Sequence, residues 1–139
     1  MGEIFADIIL YNGADFIASK MGTLSAEQIR QMEVNALVDS GATTLVINEK
    51  IKNQLGLILL ETKEIRLVDG SIENYEFVVP VEIRFKNRRS LYQAIVLPNA
   101  EEVLLGTIPM EEMDVIIDMK NQELIVPPER PYIAGAKAK

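Results

Sequence analysis

Apolar residues fall in short runs along this chain, and turn-forming residues separate the runs. Runs rich in Ile, Val, Leu and Tyr with Gly, Asn, Asp or Pro at their ends are typical of β-strands joined by tight turns. The predicted strands cover residues 4–11, 32–38, 63–68, 75–85, 91–97, 115–118 and 123–126. Their short lengths and spacing predict an all-β domain whose sheet closes into a barrel, and they argue against a parallel α/β sheet.

One stretch follows the helical period instead. Ile47, Ile51 and Leu55 recur at every fourth position, which would place them on one face of a helix. Asn48 can cap the first turn, and Gly56 can end the last one. We therefore predict a short helix between these two residues, with its apolar face packed on the sheet.

Turn residues predict how the first elements are connected. Asn12-Gly13 is a hairpin dipeptide, so residues 15–20 are predicted as the second strand of a hairpin. Ser25 and Gln28 have the spacing of a capping box, which predicts a short helix or a turn.

Two positions set expectations for the long strand over residues 75–85. Pro80 cannot donate a hydrogen bond to a sheet, so it is predicted at an edge or a bulge. Asn87 is predicted as the turn that joins this strand to the next one.

Length and composition indicate one globular domain. The chain has 139 residues, of which 48% are hydrophobic, enough for a sizeable core. Residues 1–126 are predicted as a single domain, and residues 127–139, which contain three prolines, as a flexible tail. A net charge of −7 with few aromatic residues argues against a nucleic-acid partner, because phosphate binding needs clustered Lys and Arg.

The environment of the protein is predicted from what the sequence lacks. No apolar run approaches the ~20 residues of a membrane span, and the N-terminus has no signal-peptide pattern. The chain has no Cys, so it forms no disulfide, as is usual in a reducing compartment. We predict a cytoplasmic protein with no membrane partner.

The absence of His and Cys also limits the chemistry. Ser-His-Asp and Cys-His sites are excluded, as are zinc sites built on thiolate or imidazole. Carboxylates near the C-terminus, at Glu111, Glu112, Asp114 and Asp118, are interpreted as a solvated acidic face rather than a metal site. No metal and no cofactor are predicted.

Asp39 is the candidate for chemistry among the carboxylates. The run Val38-Asp39-Ser40-Gly41-Ala42 places it at the end of a predicted strand, where a glycine allows close backbone approach. Asp, Ser and Gly are also ordinary turn residues, so a structural turn is the alternative interpretation.

The same run resembles the active-site loop of the retropepsin-like (clan AA) aspartic proteases, in which apolar residues precede Asp-(Thr/Ser)-Gly-(Ala/Ser). The family's second signature, an apolar pair and a glycine before a short helix, is matched by Leu104-Leu105-Gly106. Asp69-Gly70 lies between the two motifs, where the family carries its flap hairpin. The resemblance covers residues 32–126 and is closer to the single-lobed bacterial members than to the retroviral enzymes.

This resemblance implies an acid-protease barrel with one or two short helices and an aspartic endopeptidase in which Asp39 is catalytic. The chain carries one Asp motif, so the resemblance implies a homodimer that acts on a peptide or protein substrate. Ser40 would hydrogen-bond across the dimer axis, Gly41 would let the backbone approach the carboxylates, and Ala42 would complete the loop.

The remaining motif residues have expected roles as well. Leu104 and Leu105 are predicted in the core, with Gly106 packed beneath the Asp loop. Asp69 and Gly70 are predicted either to contact substrate or to form a plain hairpin turn. The alternative for the whole protein is a peptide-binding or oligomerisation module that keeps the fold with little or no turnover.

Overall fold

The structure is a computed structural model that describes residues 2–132. It contains nine strands: β1 Phe5–Asn12, β2 Gln31–Val38, β3 Leu45–Ile47, β4 Ile58–Arg66, β5 Ile72–Phe85, β6 Arg88–Val96, β7 Val103–Leu105, β8 Ile116–Asp118 and β9 Glu123–Ile125. The α-helices are α1 Gly13–Lys20, α2 Glu49–Leu55 and α3 Thr107–Met113, and a 3-10 helix covers Ala26–Gln28.

Six of the strands close into a barrel in the order β1-β2-β7-β3-β6-β5, and β5 pairs back to β1. β4 pairs with β5 outside the ring, and β8 pairs with β9 in a separate two-stranded sheet. The predicted all-β closed barrel is therefore confirmed. The described residues hold three α-helices, where the resemblance implied one or two.

β5 is long enough to serve two parts of the molecule. Its first half pairs with β4 and its second half with β1, while β6 runs along the opposite edge. Pro80 lies at the register shift of the β5–β6 pair, between Val78 and Val81, so the predicted bulge is confirmed. The hairpin of residues 58–79, here called the arm, extends from the barrel with β4 largely exposed.

The barrel interior is filled by alternate residues of its strands. In β1 the buried positions alternate with exposed ones, as expected for a strand with one face on the core. The largest apolar side chains that are fully buried are Ile8, Leu10, Leu45, Ile47, Leu55, Ile83, Leu105 and Met113. α2 contributes Ile51 and Leu55 to this core, and Asn48 and Gly56 cap it as predicted.

The prediction of a strand over residues 15–20 is wrong, because this segment lies in α1. The side chain of Asn12 accepts a hydrogen bond from the backbone N–H of Asp15 at 2.9 Å, which caps the helix. The same amide donates to the backbone oxygen of Leu55 at 2.8 Å. A contact 43 residues away thus turns a hairpin dipeptide into a helix start.

An ion pair joins the two ends of the segment between β1 and β2, residues 13–30. The guanidinium of Arg30 makes a bidentate pair with the carboxylate of Asp15, at 2.8 and 3.0 Å. This pair lowers the pKa of Asp15 through its hydrogen bonds and raises that of Arg30. The capping box is confirmed, since the Gln28 side chain accepts from the Ser25 N–H at 3.1 Å.

Of the predicted tail, residues 127–132 are described and contact the barrel, whereas residues 133–139 lie outside the described residues. No helix within residues 2–132 has both the length and the apolar character that a membrane crossing requires.

Candidate active site

Asp39 lies directly after the last residue of β2 and is half-buried. Its N–H donates to the backbone oxygen of Leu105 at 3.0 Å, which continues the pairing of β2 with β7. Its carboxylate oxygen Oδ1 accepts from the N–H of Gly41 at 2.8 Å, and its own carbonyl accepts from Ala42 at 3.1 Å. The backbone of the loop thus holds one carboxylate oxygen in place.

The loop of residues 39–44, here called the Asp loop, is interlocked with the start of α3. The N–H groups of Thr107 and Ile108 donate to the carbonyls of Ala42 and Thr43 at 3.0 and 2.9 Å. Gly106 sits between the two segments so closely that a Cβ there would lie 2.4 Å from the backbone oxygen of Thr44. The two sequence motifs are therefore in direct backbone contact.

The apolar pair of the second motif lies in β7, between the two strands that flank the Asp loop. Leu104 lies opposite Leu37 of β2 and opposite Val46 of β3. Leu105 is fully buried and Leu104 is half-buried. The strands on both sides of the Asp loop are thus fixed to one central strand.

Ser40 is exposed beside Asp39, and two cavities open next to it. The larger, of about 300 Å³, is lined by Asp39, Leu37 and Met119 among others. The second, of about 260 Å³, lies against Thr107 and Glu111 of α3, and Ser40 and Ile117 line both cavities. The surface around the candidate carboxylate is therefore concave and largely apolar.

Asp69 and Gly70 form the tip of the arm. Gly70 has a φ of 88°, which a glycine adopts without strain, and its N–H donates to Leu67 at 2.9 Å. The Asp69 carboxylate accepts from the hydroxyl and the N–H of Ser71 at 2.6 and 2.9 Å. These bonds lower the pKa of Asp69, the hydroxyl contributing most. No arm residue lines either cavity beside Ser40.

Several residues of this region belong to no motif recognisable in the sequence. Thr44 is buried and donates its hydroxyl to the carbonyl of Gln93 at 2.9 Å, which anchors the end of the Asp loop to β6. Ile117 and Met119 line the larger cavity, and the sequence indicates only that Ile117 lies in the predicted strand of residues 115–118. Nothing local in the sequence shows that these residues meet Asp39.

Acidic residues near the C-terminus, Glu112 and Asp118 among them, are engaged by protein donors. Glu112 accepts from the hydroxyl of Ser90 and from the N–H of Leu91. Asp118 accepts from the N–H and the side chain of Asn121, which lowers its pKa. Within residues 2–132, no group of three or more potential metal ligands of the Asp, Glu, His or Cys type is found.

The barrel and the interlocked Asp-Ser-Gly loop define the class of the retropepsin-like aspartic proteases. Residues 26–111, more than half of the chain, match the family described as "gag-polyprotein putative aspartyl protease". The chain belongs to this family, and the resemblance inferred from its two motifs is confirmed.

Solved structures show the same fold. The retroviral protease-like domain of Ddi1 from Leishmania major aligns with a TM-score of 0.57 at 15% identity, over 92% of this chain and 90% of that one. A retropepsin-like aspartic protease from Rickettsia conorii aligns with a TM-score of 0.52 at 14% identity, over 84% of this chain and 77% of that one. No curated protein matches the sequence.

Proposed function

We propose that the protein is an aspartic endopeptidase whose active site forms when two copies bring their Asp39 carboxylates together. The observation that carries this proposal is the interlock of the Asp loop with α3, which holds a half-exposed carboxylate beside an exposed Ser40. A structural turn would not need a buried glycine packed against its carbonyls, as Gly106 is here.

One carboxylate cannot perform the reaction alone, because hydrolysis of an amide needs a base and an acid. Two carboxylates a few Å apart cannot both ionise, so a pair at a two-fold axis shares one proton. The ionised member removes a proton from the bound water as its oxygen attacks the carbonyl carbon. The protonated member stabilises the developing oxyanion, and a proton then reaches the leaving nitrogen as the C–N bond breaks.

The other motif residues support this pair. In this proposal Ser40, which is exposed next to Asp39, hydrogen-bonds across the axis. Gly41 donates its N–H to the Asp39 carboxylate, while Leu104, Leu105 and Gly106 fix the loop from behind. In this proposal Asp69 and Gly70 at the arm tip contact the peptide substrate.

The working unit is a cytoplasmic homodimer that cleaves peptide or protein chains, built from the domain of residues 1–126 with the tail of residues 127–139. Exposed Ile116 and Met119 lie close to Ser40 and are 42% and 53% exposed. A second copy at the Asp39 axis would cover this apolar surface.

The proposal is tested by incubating the full chain with a mixed peptide library, with and without a statine-type peptide. A statine hydroxyl mimics the tetrahedral intermediate, and tight binding of such a mimic requires the protonated pair. We expect cleavage that the statine peptide blocks at a stoichiometry of one per dimer. Peptide binding without cleavage and without a preference for the statine peptide would support the binding-module alternative instead.

We expect a homodimer in solution, because one chain supplies half of the acid–base pair. Sedimentation velocity between about 1 and 100 µM should show the dimer mass, with its fraction rising with concentration. A monomer throughout this range, in a sample that still cleaves peptides, would rule out the shared dyad.

We expect cleavage to be fastest on the acid side of neutrality and to be insensitive to EDTA. A pair that shares one proton titrates in two macroscopic steps, and the enzyme is active between them. The measurement is the pH profile of kcat/KM between about pH 3 and 9. A rate that stays constant to strongly alkaline pH would contradict the shared proton, and a loss on chelation would indicate a metal.

A further inference from the structure

The guanidinium of Arg88 is a fully buried charge at the far end of α3. Its Nη1 donates to the carbonyls of Met113 and Asp114, at 3.2 and 3.3 Å, and lies 3.5 Å from the Asp114 carboxylate. These carbonyls end the helix, where a positive charge is favourable. Arg88 also donates through Nη2 to the backbone oxygen of Arg130.

Arg130 closes the same cluster from the C-terminal segment. Its guanidinium makes a bidentate pair with the Asp114 carboxylate, at 2.6 and 2.9 Å, and this pairing raises the pKa of Arg130. Asn87 donates to the carbonyl of Pro131 at 2.9 Å, which fixes the segment beside the β5–β6 turn. We call residues 127–132 the latch.

α3 links the latch to the Asp loop. With seven residues the helix is only about 10 Å long, and its N-terminal end carries the hydrogen bonds from Thr107 and Ile108 to the Asp loop. Its C-terminal end is held by Arg88 and Arg130. A tilt at one end of so short a helix therefore moves the other end.

We infer that Arg130 is a positioning residue for catalysis, holding α3 through Asp114 so that α3 holds the Asp loop in its reactive geometry. This inference rests on the proposed peptidase function. It assigns a role in the active site to a segment that follows β9. Misplacement of reacting groups by about 1 Å can cost on the order of 100-fold in rate, so a loosened latch should act on kcat.

The test replaces Arg130 by Ala in the full chain, because the Arg130 side chain is 44% exposed and its loss leaves the core intact. Replacing the buried Arg88 could unfold the chain and would not discriminate. The matched control is Arg30→Ala. Arg30 is another exposed arginine, and its guanidinium makes a bidentate pair with Asp15 in the segment between β1 and β2. Arg130→Lys keeps the positive charge but cannot make the bidentate hydrogen bonds of a guanidinium.

Two readouts distinguish a positioning role of Arg130 from a general loss of stability. We expect Arg130→Ala to lower kcat about tenfold or more with little change in KM, and Arg130→Lys to restore part of it. Amide hydrogen exchange at Thr107 and Ile108, followed by NMR, should accelerate at least tenfold relative to the amide of Leu10 in the barrel. Arg30→Ala should change neither readout.

Unchanged kcat and unchanged exchange in Arg130→Ala would overturn the positioning role of Arg130. Equal acceleration of exchange at all three amides would overturn it too. Amide exchange does not depend on activity, so it shows whether Arg130 holds α3 even if no peptide is cleaved. A faster exchange at Thr107 and Ile108 in a protein without peptidase activity would show that Arg130 holds α3, and it would refute both the proposed function and the catalytic role given to Arg130.

Discussion

The Asp39→Asn protein is expected to fold and dimerise but to cleave peptides at least about 10³-fold more slowly than the unmodified chain. Asn keeps the shape of the side chain, and its amide oxygen can still accept the hydrogen bond from the Gly41 N–H. It cannot take a proton from water. In a symmetric dimer one substitution removes both carboxylates, so the general base and its electrostatic partner are lost together.

The control for this prediction is Asp7→Asn. Asp7 is an exposed aspartate of β1 that accepts a hydrogen bond from the Asn35 side chain at 2.8 Å, and it lies outside the Asp loop. Its neutralisation should leave kcat/KM within about twofold. Initial rates and the dimer mass are measured for all three proteins at one concentration.

Dimer stability gives a second measure of the same substitution. Two carboxylates crowded at an axis repel unless they share a proton, so neutral Asn should strengthen the dimer by something on the order of 1 kcal/mol above neutral pH. A variant that cleaves at the original rate would show that Asp39 is not the catalyst. A variant that unfolds, from a parent that cleaves nothing, would make Asp39 a structural turn residue.

The barrel could be predicted from the sequence because four of its six strands, β1, β2, β5 and β6, carry their own signals. The alternation of apolar residues, the bulge at Pro80 and the turn at Asn87 are each determined by residues within a few positions of one another. The failures depend on distant contacts. Asn12 starts a helix because Leu55 holds its side chain, and the three-residue β3 is a strand because β6 and β7 flank it.

In the candidate site, too, short motifs could be predicted from the sequence, whereas the contacts between distant segments could not. Asp39 and Gly106 were identified because each belongs to a short motif. That the two meet follows from the parallel pairing of β2 with β7, in which Val38 lies opposite Leu105, and no local pattern specifies such a pairing. Arg88 and Arg130 are joined across 42 residues, so no local pattern in the sequence indicates their link to α3.

Gly106→Ala is expected to destabilise the fold by about 3 kcal/mol or more, a large effect for a single methyl group. The added Cβ would lie 2.4 and 2.6 Å from the backbone oxygens of Thr44 and Ala42, and 2.7 Å from the Thr44 nitrogen. Backbone atoms cannot rotate away as a flexible side chain does, so the Asp loop and α3 must separate. Overpacking costs about 1–3 kcal/mol, and each hydrogen bond lost adds roughly 1 kcal/mol.

The cost at Gly106 should be steric, because its φ of −93° is open to any residue. Gly22→Ala supplies the matched control, since Gly22 has a φ of 83° and nothing within 4 Å of an added Cβ. That substitution should cost only the backbone strain of about 1–2 kcal/mol. Urea unfolding of both variants gives the comparison, and a smaller loss for Gly106→Ala than for Gly22→Ala would mean that the two motifs do not interlock. Because the same contact holds the Asp loop, the folded fraction of Gly106→Ala should also cleave peptides more slowly than Gly22→Ala.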